Sequence, residues 1–259
     1  MRGRSARLWA AVGAAAALTL VTATGAHAEG RGDIRVVSAV VNGGKSVTVG
    51  TAGKVTYSIA ITVKDDSGVK KVSRVSTYKQ LSGYGFADWT GVTCVKKSRT
   101  TSVCTATMSI DAASIRYTDD IDTNRTAGVW TVNATVNAND GDYWISDSIA
   151  AYQVRRAAKF TVAAPAKAAK GALITVSGQL TQANWESRKY QGYARQTAQL
   201  QFRKNGAARY STVKTVKTDG AGKAGAKVAV TASGSWRWYY PGTNAVASTA
   251  SAGAAVTLK

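Results

Sequence analysis

Hydrophobic and polar residues alternate over short stretches of this chain and almost nowhere recur with a helical period. In "VTYSIAITV", residues 55–63, Val55, Tyr57, Ile59, Ile61 and Val63 share one parity, while Thr56, Ser58, Ala60 and Thr62 take the other. Successive strand side chains point to opposite faces, so this pattern predicts a strand with one buried face. "VWTVNATVNA", residues 129–138, does the same, with Trp130, Val132, Ala134, Val136 and Ala138 on the inner parity. Later, "LITVSGQL", "AQLQFRKNG", "STVKTVKT" and "AKVAVTA" read as further short strands, broken by turn-forming stretches such as "KNGA" and "DGAGK".

Between the two patterned regions lies "AAPAKAAKG", residues 163–171, a small-residue link around Pro165. Many short strands on either side of such a link predict an all-β chain with two tandem immunoglobulin-like β-sandwich domains, spanning residues 29–164 and 165–259. An internal echo supports the pairing. "AGVWTV" and "SGSWRW" each place Gly two residues before a Trp that opens a strand, which aligns Trp236 with Trp130. In that register Trp236, Trp238 and Tyr240 point into the second core, because a small sandwich poor in Leu and Ile needs large apolar side chains to fill it. Arg237 and Tyr239 then point outward, as a candidate ligand surface.

The amino terminus modifies this picture. Arg2, Arg4 and Arg7 precede an apolar run from Leu8 to Val21 and a small-residue stretch, "ATGAHA", that ends at Ala28. This has the form of a cleaved signal peptide, residues 1–28, so the expected product is secreted, either extracellular or loosely associated with the cell wall. Cleavage would remove His27, the single histidine. Ser-His-Asp triads, Cys-His pairs and His-ligated metals are thereby excluded from the mature chain. In an exported protein Cys94 and Cys104 are expected to form a disulfide, closing the hairpin "CVKKSRTTSVC" with Lys96, Lys97 and Arg99 at its tip as a second candidate ligand surface.

Charge is unevenly spread. Residues 29–164 hold 12 acidic and 17 basic side chains, and residues 165–259 hold 2 and 14. An excess of this size favours anionic partners, here an anionic cell-wall polymer or an acidic glycan, although solubility alone would also account for it. Any site for a hard cation must lie in the first region. "DDIDTN" offers Asp120, Asp122 and Asn124 with EF-hand-like spacing, but Arg125 and Thr131 occupy the positions where that loop needs Gly and Glu. A second constellation is more promising. If residues 55–63 form the second strand of the sandwich and residues 130–138 the sixth, the loops after them emerge at one pole and bring together Asp65, Asp66, Asp140 and Asp142, with Asp147 joining if its loop folds back. These loops are read either as a weak Ca2+ site or as ordinary Asx turns. "RGD" at residues 31–33 is given no role.

"VNGGKSVTVG", "DDSGV" and "DGDYW" in the first region, with "ITVSGQLTQANW", "YQGYARQTAQLQFRKNG" and "SWRWYYPGT" in the second, resemble a group of exported two-domain proteins of high-GC Gram-positive bacteria. These are commonly labelled calcium-binding or immunoglobulin-like domain proteins, and the resemblance implies that fold and a calcium ligand. Together the readings favour a non-catalytic binding or structural module of the cell exterior. A lectin-like module would need Trp89, Trp144 or Trp185 exposed for stacking on sugars, and a carboxylate-based hydrolase would have to work with Glu29 and Glu186, the chain's two glutamates beyond the leader.

Overall fold

A computed structural model describes residues 28–79, 85–115 and 123–259. The expected signal peptide, Ala28 apart, and Asp120 and Asp122 of the EF-hand-like stretch lie outside the described residues. Among those described, no helix is long and apolar enough to cross a membrane.

The first sandwich contains β1 (Ala28–Arg31), β2 (Arg35–Val41), β3 (Val47–Val49), β4 (Lys54–Lys64), β5 (Val69–Tyr78), β6 (Asp88–Lys96), β7 (Thr101–Asp111), β8 (Gly128–Ala138) and β9 (Tyr143–Arg156). One sheet has the order β2-β4-β7-β6; the other has β1-β9-β8-β5, with β3 running parallel to β9. This is an immunoglobulin-like arrangement in which β4 is the second principal strand and β8 the sixth. The predicted parity holds: Tyr57, Ile59, Ile61 and Val63 of β4 share one buried core with Trp130, Val132, Ala134 and Val136 of β8. Trp130 satisfies its only polar atom by donating from Nε1 to the Thr126 carbonyl at 2.7 Å.

The second sandwich contains β10 (Ala158–Phe160), β11 (Lys167–Ala168), β12 (Leu173–Asn184), β13 (Lys189–Gly192), β14 (Thr197–Lys204), β15 (Ser211–Lys217), β16 (Lys223–Ala229), β17 (Gly234–Tyr240), β18 (Thr249–Ala250) and β19 (Ala254–Leu258). β12 pairs with β10, β13 and β16, opposite a sheet of order β11-β19-β17-β14-β15. A short parallel pairing with the last strand, β3 with β9 and β11 with β19, recurs in both sandwiches. Trp130 and Trp236 both point inward from the strand beside that last strand. Trp236, Trp238 and Tyr240 are buried. Phe160 stacks on Trp238 with ring centroids 5.8 Å apart. Ala158–Phe160, although it precedes Pro165, is therefore built into the second sandwich. Gly178 makes room for Trp238, since a Cβ there would lie 2.7 Å from the indole and 2.2 Å from the Thr161 carbonyl oxygen.

Contacts between the sandwiches extend into the cores. Ala183 and Trp185, at the end of β12, belong to the first core. Trp185 is 1% exposed, lies edge-on to Phe86 at 5.7 Å and donates from Nε1 to the Val49 carbonyl. The Arg156 amide donates to the Ala245 carbonyl and the Ala247 amide to the Arg156 carbonyl, so the chain is also tied across the junction through its backbone. A buried indole shared in this way is expected to couple the unfolding of the two sandwiches. Replacing Trp185 with Ala is expected to cost roughly 3–5 kcal/mol. Chemical denaturation should show both halves losing stability together; a second-sandwich transition unmoved by the substitution would refute the coupling.

Candidate functional site

The acidic pole is built around Asp65, which directly follows β4. Its amide donates to the Thr100 carbonyl at 2.9 Å, which holds it under the tip of the β6–β7 hairpin. The side chain is 1% exposed. Oδ1 accepts from the Ser67 amide at 2.8 Å and from Ser67 Oγ, whereas Oδ2 is buried without a hydrogen-bond partner. Four further carboxylates surround it. Asp33, Asp65 and Asp66 bring oxygens within 4.8 Å of one another, and so do Asp65, Asp140 and Asp142. Oxygens held at 2.3–2.6 Å by one calcium ion lie no more than about 5 Å apart, so each set has the spacing of ligands on a shared ion.

Backbone pairing produces this convergence. The loops after β4 and β8 meet at one pole, where the Asn139 amide donates to the Gly68 carbonyl and Asn139 Nδ2 to the Ser67 carbonyl, both at 3.0 Å. The Asp142 amide donates to Asp140 Oδ1 in an Asx turn. Asp65 is thus shared by two sets, one with Asp66 and Asp33 and one with Asp140 and Asp142. Arg35 pairs with Lys64, so continuing the register by two places sets Asp33 opposite Asp66. The Asp33 amide donates to Asp142 Oδ2 at 2.9 Å. Gly32 permits this approach, having φ of +80° and a Cβ position only 1.4 Å from that same oxygen. The signal for Asp33 was therefore strand register rather than any motif, and the "RGD" that carries it concealed its part in the pole.

Asp147 does not join. It lies within β9 opposite Asn133, where the β8–β9 register slips, and its Oδ1 accepts from Asn133 Nδ2 at 2.7 Å. The loop after Asp142 does not fold back, because β9 has already begun at Tyr143.

Cys94 and Cys104 form a disulfide, S–S 2.05 Å, between directly opposed residues of β6 and β7. Lys96 and Lys97 at the hairpin tip are exposed. Arg99 instead braces the acidic loop, donating from Nη1 to the Asp66 carbonyl at 2.6 Å. It is exposed beside Lys96 and Lys97, and it also ties the hairpin tip to the acidic loop. On β17, Arg237 and Tyr239 alternate with the buried aromatics and lie partly exposed, as the parity predicts.

The aromatic residues needed for sugar stacking are not presented together. Trp185 is buried in the junction, Trp144 packs on the first core, and Trp89 stands 39% exposed on the edge strand β6. The two glutamates are also separated: Glu29 accepts from the Tyr143 hydroxyl beside β1, and Glu186 from the Asn124 amide at the junction. A groove of about 620 Å³ between β2 and β9 is lined by Val40, Lys45, Ser46, Tyr152 and Arg155 among others, with no carboxylate in its wall.

No protein-family model matches the chain, and no curated protein matches it. Solved structures similar to it include the D00-D0 domain of intimin, at 13% identity over 84% of this chain and 98% of that one, with a TM-score of 0.28. The D0-D1 domain of intimin gives 12% identity, 86% and 98% coverage, and a TM-score of 0.28. The three N-terminal domains of the highly immunogenic outer capsid protein of bacteriophage RB49 give 12%, 87% and 71%, and 0.29. At such scores the fold rests on the strand order and register described above.

Two measurements test the pole. Partial desolvation, followed by the Asp66 and Asp65 carboxylates, raises the Asp33 carboxyl above its ordinary value of 3.8. Below 3.8 Asp33 is protonated in both folded and unfolded chains; above it the unfolded chain releases the proton first. Without cations, stability should fall as pH rises through the folded-state value, and Asp33→Asn should flatten that part of the pH-stability curve. Separately, reduction of the disulfide, or a Cys94→Ser, Cys104→Ser variant, is expected to cost about 2–4 kcal/mol in denaturant melts.

Proposed function

We propose that this chain is a secreted, non-catalytic binding module of the cell exterior, which holds a calcium ion at Asp33, Asp65, Asp66, Asp140 and Asp142 and meets anionic envelope polymers through its basic second sandwich. One observation carries the metal assignment: Asp65 Oδ2, a buried carboxylate oxygen without a partner, lies among four other carboxylates. Leaving such an oxygen unpaired costs on the order of 1–3 kcal/mol or more, and the neighbouring negative charges add to that cost. A divalent cation removes both penalties together. The ligands come from three loops and not from one rigid cage, and this suits calcium, which accepts variable geometry, better than magnesium, which demands a near-ideal octahedron. The resemblance to exported proteins labelled calcium-binding points the same way. Export is consistent with the disulfide, and the basic second sandwich supports the polymer contact.

The experiment is titration of the mature protein with calcium, followed by calorimetry and thermal unfolding, with magnesium and chelator as controls. The expected dissociation constant lies at about 10⁻⁴ to 10⁻³ M, the range of extracellular modules. At a hundredfold excess over that constant, stability should rise by about 2.7 kcal/mol. Asp140→Asn, Asp142→Asn and Asp33→Asn should each reduce the shift while leaving the chelated protein folded. Equal stabilisation of wild type and variants, or none in the wild type, would overturn the assignment.

A further inference from the structure

The outer face of the second sandwich carries two arginines on one tyrosine. Arg237 Cζ lies 3.9 Å from the centre of the Tyr210 ring, and Arg203 Cζ lies 4.8 Å from it. The arrangement is braced from beneath. Arg237 Nε donates to Gln201 Oε1 at 2.8 Å, and the Tyr210 and Ser235 hydroxyls are hydrogen-bonded at 3.1 Å. Gly253 closes over those hydroxyls, since a Cβ there would lie 2.3 Å from Ser235 Oγ and 2.8 Å from the Tyr210 hydroxyl. Register accounts for the grouping: Gln201 is opposite Arg237 and Arg203 opposite Ser235 on the adjacent strands β14 and β17.

Neither guanidinium has a carboxylate partner among the described residues. The sandwich has two acids to offer, and both are committed elsewhere. Asp219 Oδ1 caps its own turn by accepting from the Ala221 and Lys223 amides, and Glu186 lies at the junction, accepting from the Asn124 amide. Arg203 and Arg237 are therefore not neutralised within the sandwich and are open to an anion from outside. With Nε engaged by Gln201, the free Nη edge of Arg237 presents donors suited to two oxygens of one anion. Both guanidiniums lie over the same ring, at most 8.7 Å apart by the two centroid distances. A planar carboxylate is matched by a single such fork, whereas the two diverging free oxygens of a phosphodiester can be shared between two guanidiniums. The partly exposed amides and hydroxyls of Gln199, Ser235 and Tyr239 flank the pair and suit a hydroxylated backbone.

We infer that Arg203, Tyr210 and Arg237 form a binding site for the phosphodiester groups of a hydroxyl-rich polymer. This rests on the proposed contact between the basic sandwich and anionic envelope polymers, and names the group recognised. Guanidinium geometry, and not charge alone, would carry recognition, since Lys keeps the charge but not the planar fork.

The test measures binding of the mature protein to an immobilised polyol-phosphate polymer, with a polyuronate and a neutral glycan as comparison surfaces, at low and physiological salt. Arg203→Lys and Arg237→Lys should each weaken phosphate-polymer binding about tenfold, while Lys227→Gln, which removes a charge from the opposite sheet, should change it less than threefold. Thermal melts should confirm that all three variants fold as the wild type does. Unchanged binding by the Arg→Lys variants, or an equal loss in Lys227→Gln, would reduce the site to diffuse electrostatics and overturn the inference. Equal binding to polyuronate would overturn the choice of phosphodiester. Absence of wild-type binding to either polyanion would instead defeat the broader polymer reading on which the site rests.

Discussion

The register of β4 against its two neighbours is the constraint on which the acidic pole depends. β4 and β7 match residue for residue from Lys54 opposite Asp111 to Lys64 opposite Thr101, while β2 runs along the other edge with Arg35 opposite Lys64. Both pairings stop beside Asp65, so its backbone is fixed from two sides before any ligand arrives. A one-residue slip would turn Ile59, Ile61 and Val63 outward and swing Asp65 out of the pole. Hydrophobic burial in the first core therefore sets the position of a carboxylate at its rim. The disulfide acts through the same strands, joining β6 to β7 at positions six residues before and four residues after Thr100, whose carbonyl accepts from the Asp65 amide.

What was legible in the sequence was whatever depends on parity. The buried face of β4, the inward Trp236, Trp238 and Tyr240, and the shared pole of the loops after β4 and β8 all follow from alternation and strand count. Features that depend on pairing between distant segments were not legible. Asp33 enters the pole only because β2 is antiparallel to the end of β4 and β1 lies along β9, a relation that no local motif encodes. Asp147 fails for a similar reason: β9 begins earlier than the acidic run suggested and carries Asp147 into the sheet. Trp185 sits in a polar turn sequence, "NWES", that looks like a surface loop, and its burial comes from the first sandwich closing over it.

The shared Trp185 also bears on how the two surfaces relate. In a chain of independently tumbling domains, each surface would act alone. Here the indole of one sandwich fills part of the other's core, so the two surfaces are joined through packed side chains. The basic second sandwich has too few acids to neutralise itself, whereas the first concentrates five carboxylates at the pole farthest from the junction.

That placement bears on how the proposed calcium pole and the proposed polymer face would interact electrostatically. β9 starts beside the pole at Tyr143 and ends at the junction with Arg156, a strand of 14 residues. At about 3.3 Å per residue, less the bulge, it separates the two ends by roughly 40 Å. The Debye length at physiological ionic strength is about 8 Å, so the charge change on loading the pole is almost wholly screened before it reaches β10 and the sandwich beyond. Any influence of the cation on Arg203 and Arg237 would have to pass through the packed core and Trp185, and a core of this density transmits order more readily than charge. Electrostatic screening therefore leaves the packed core around Trp185 as the route by which the proposed cation pole and the proposed polymer face would influence each other.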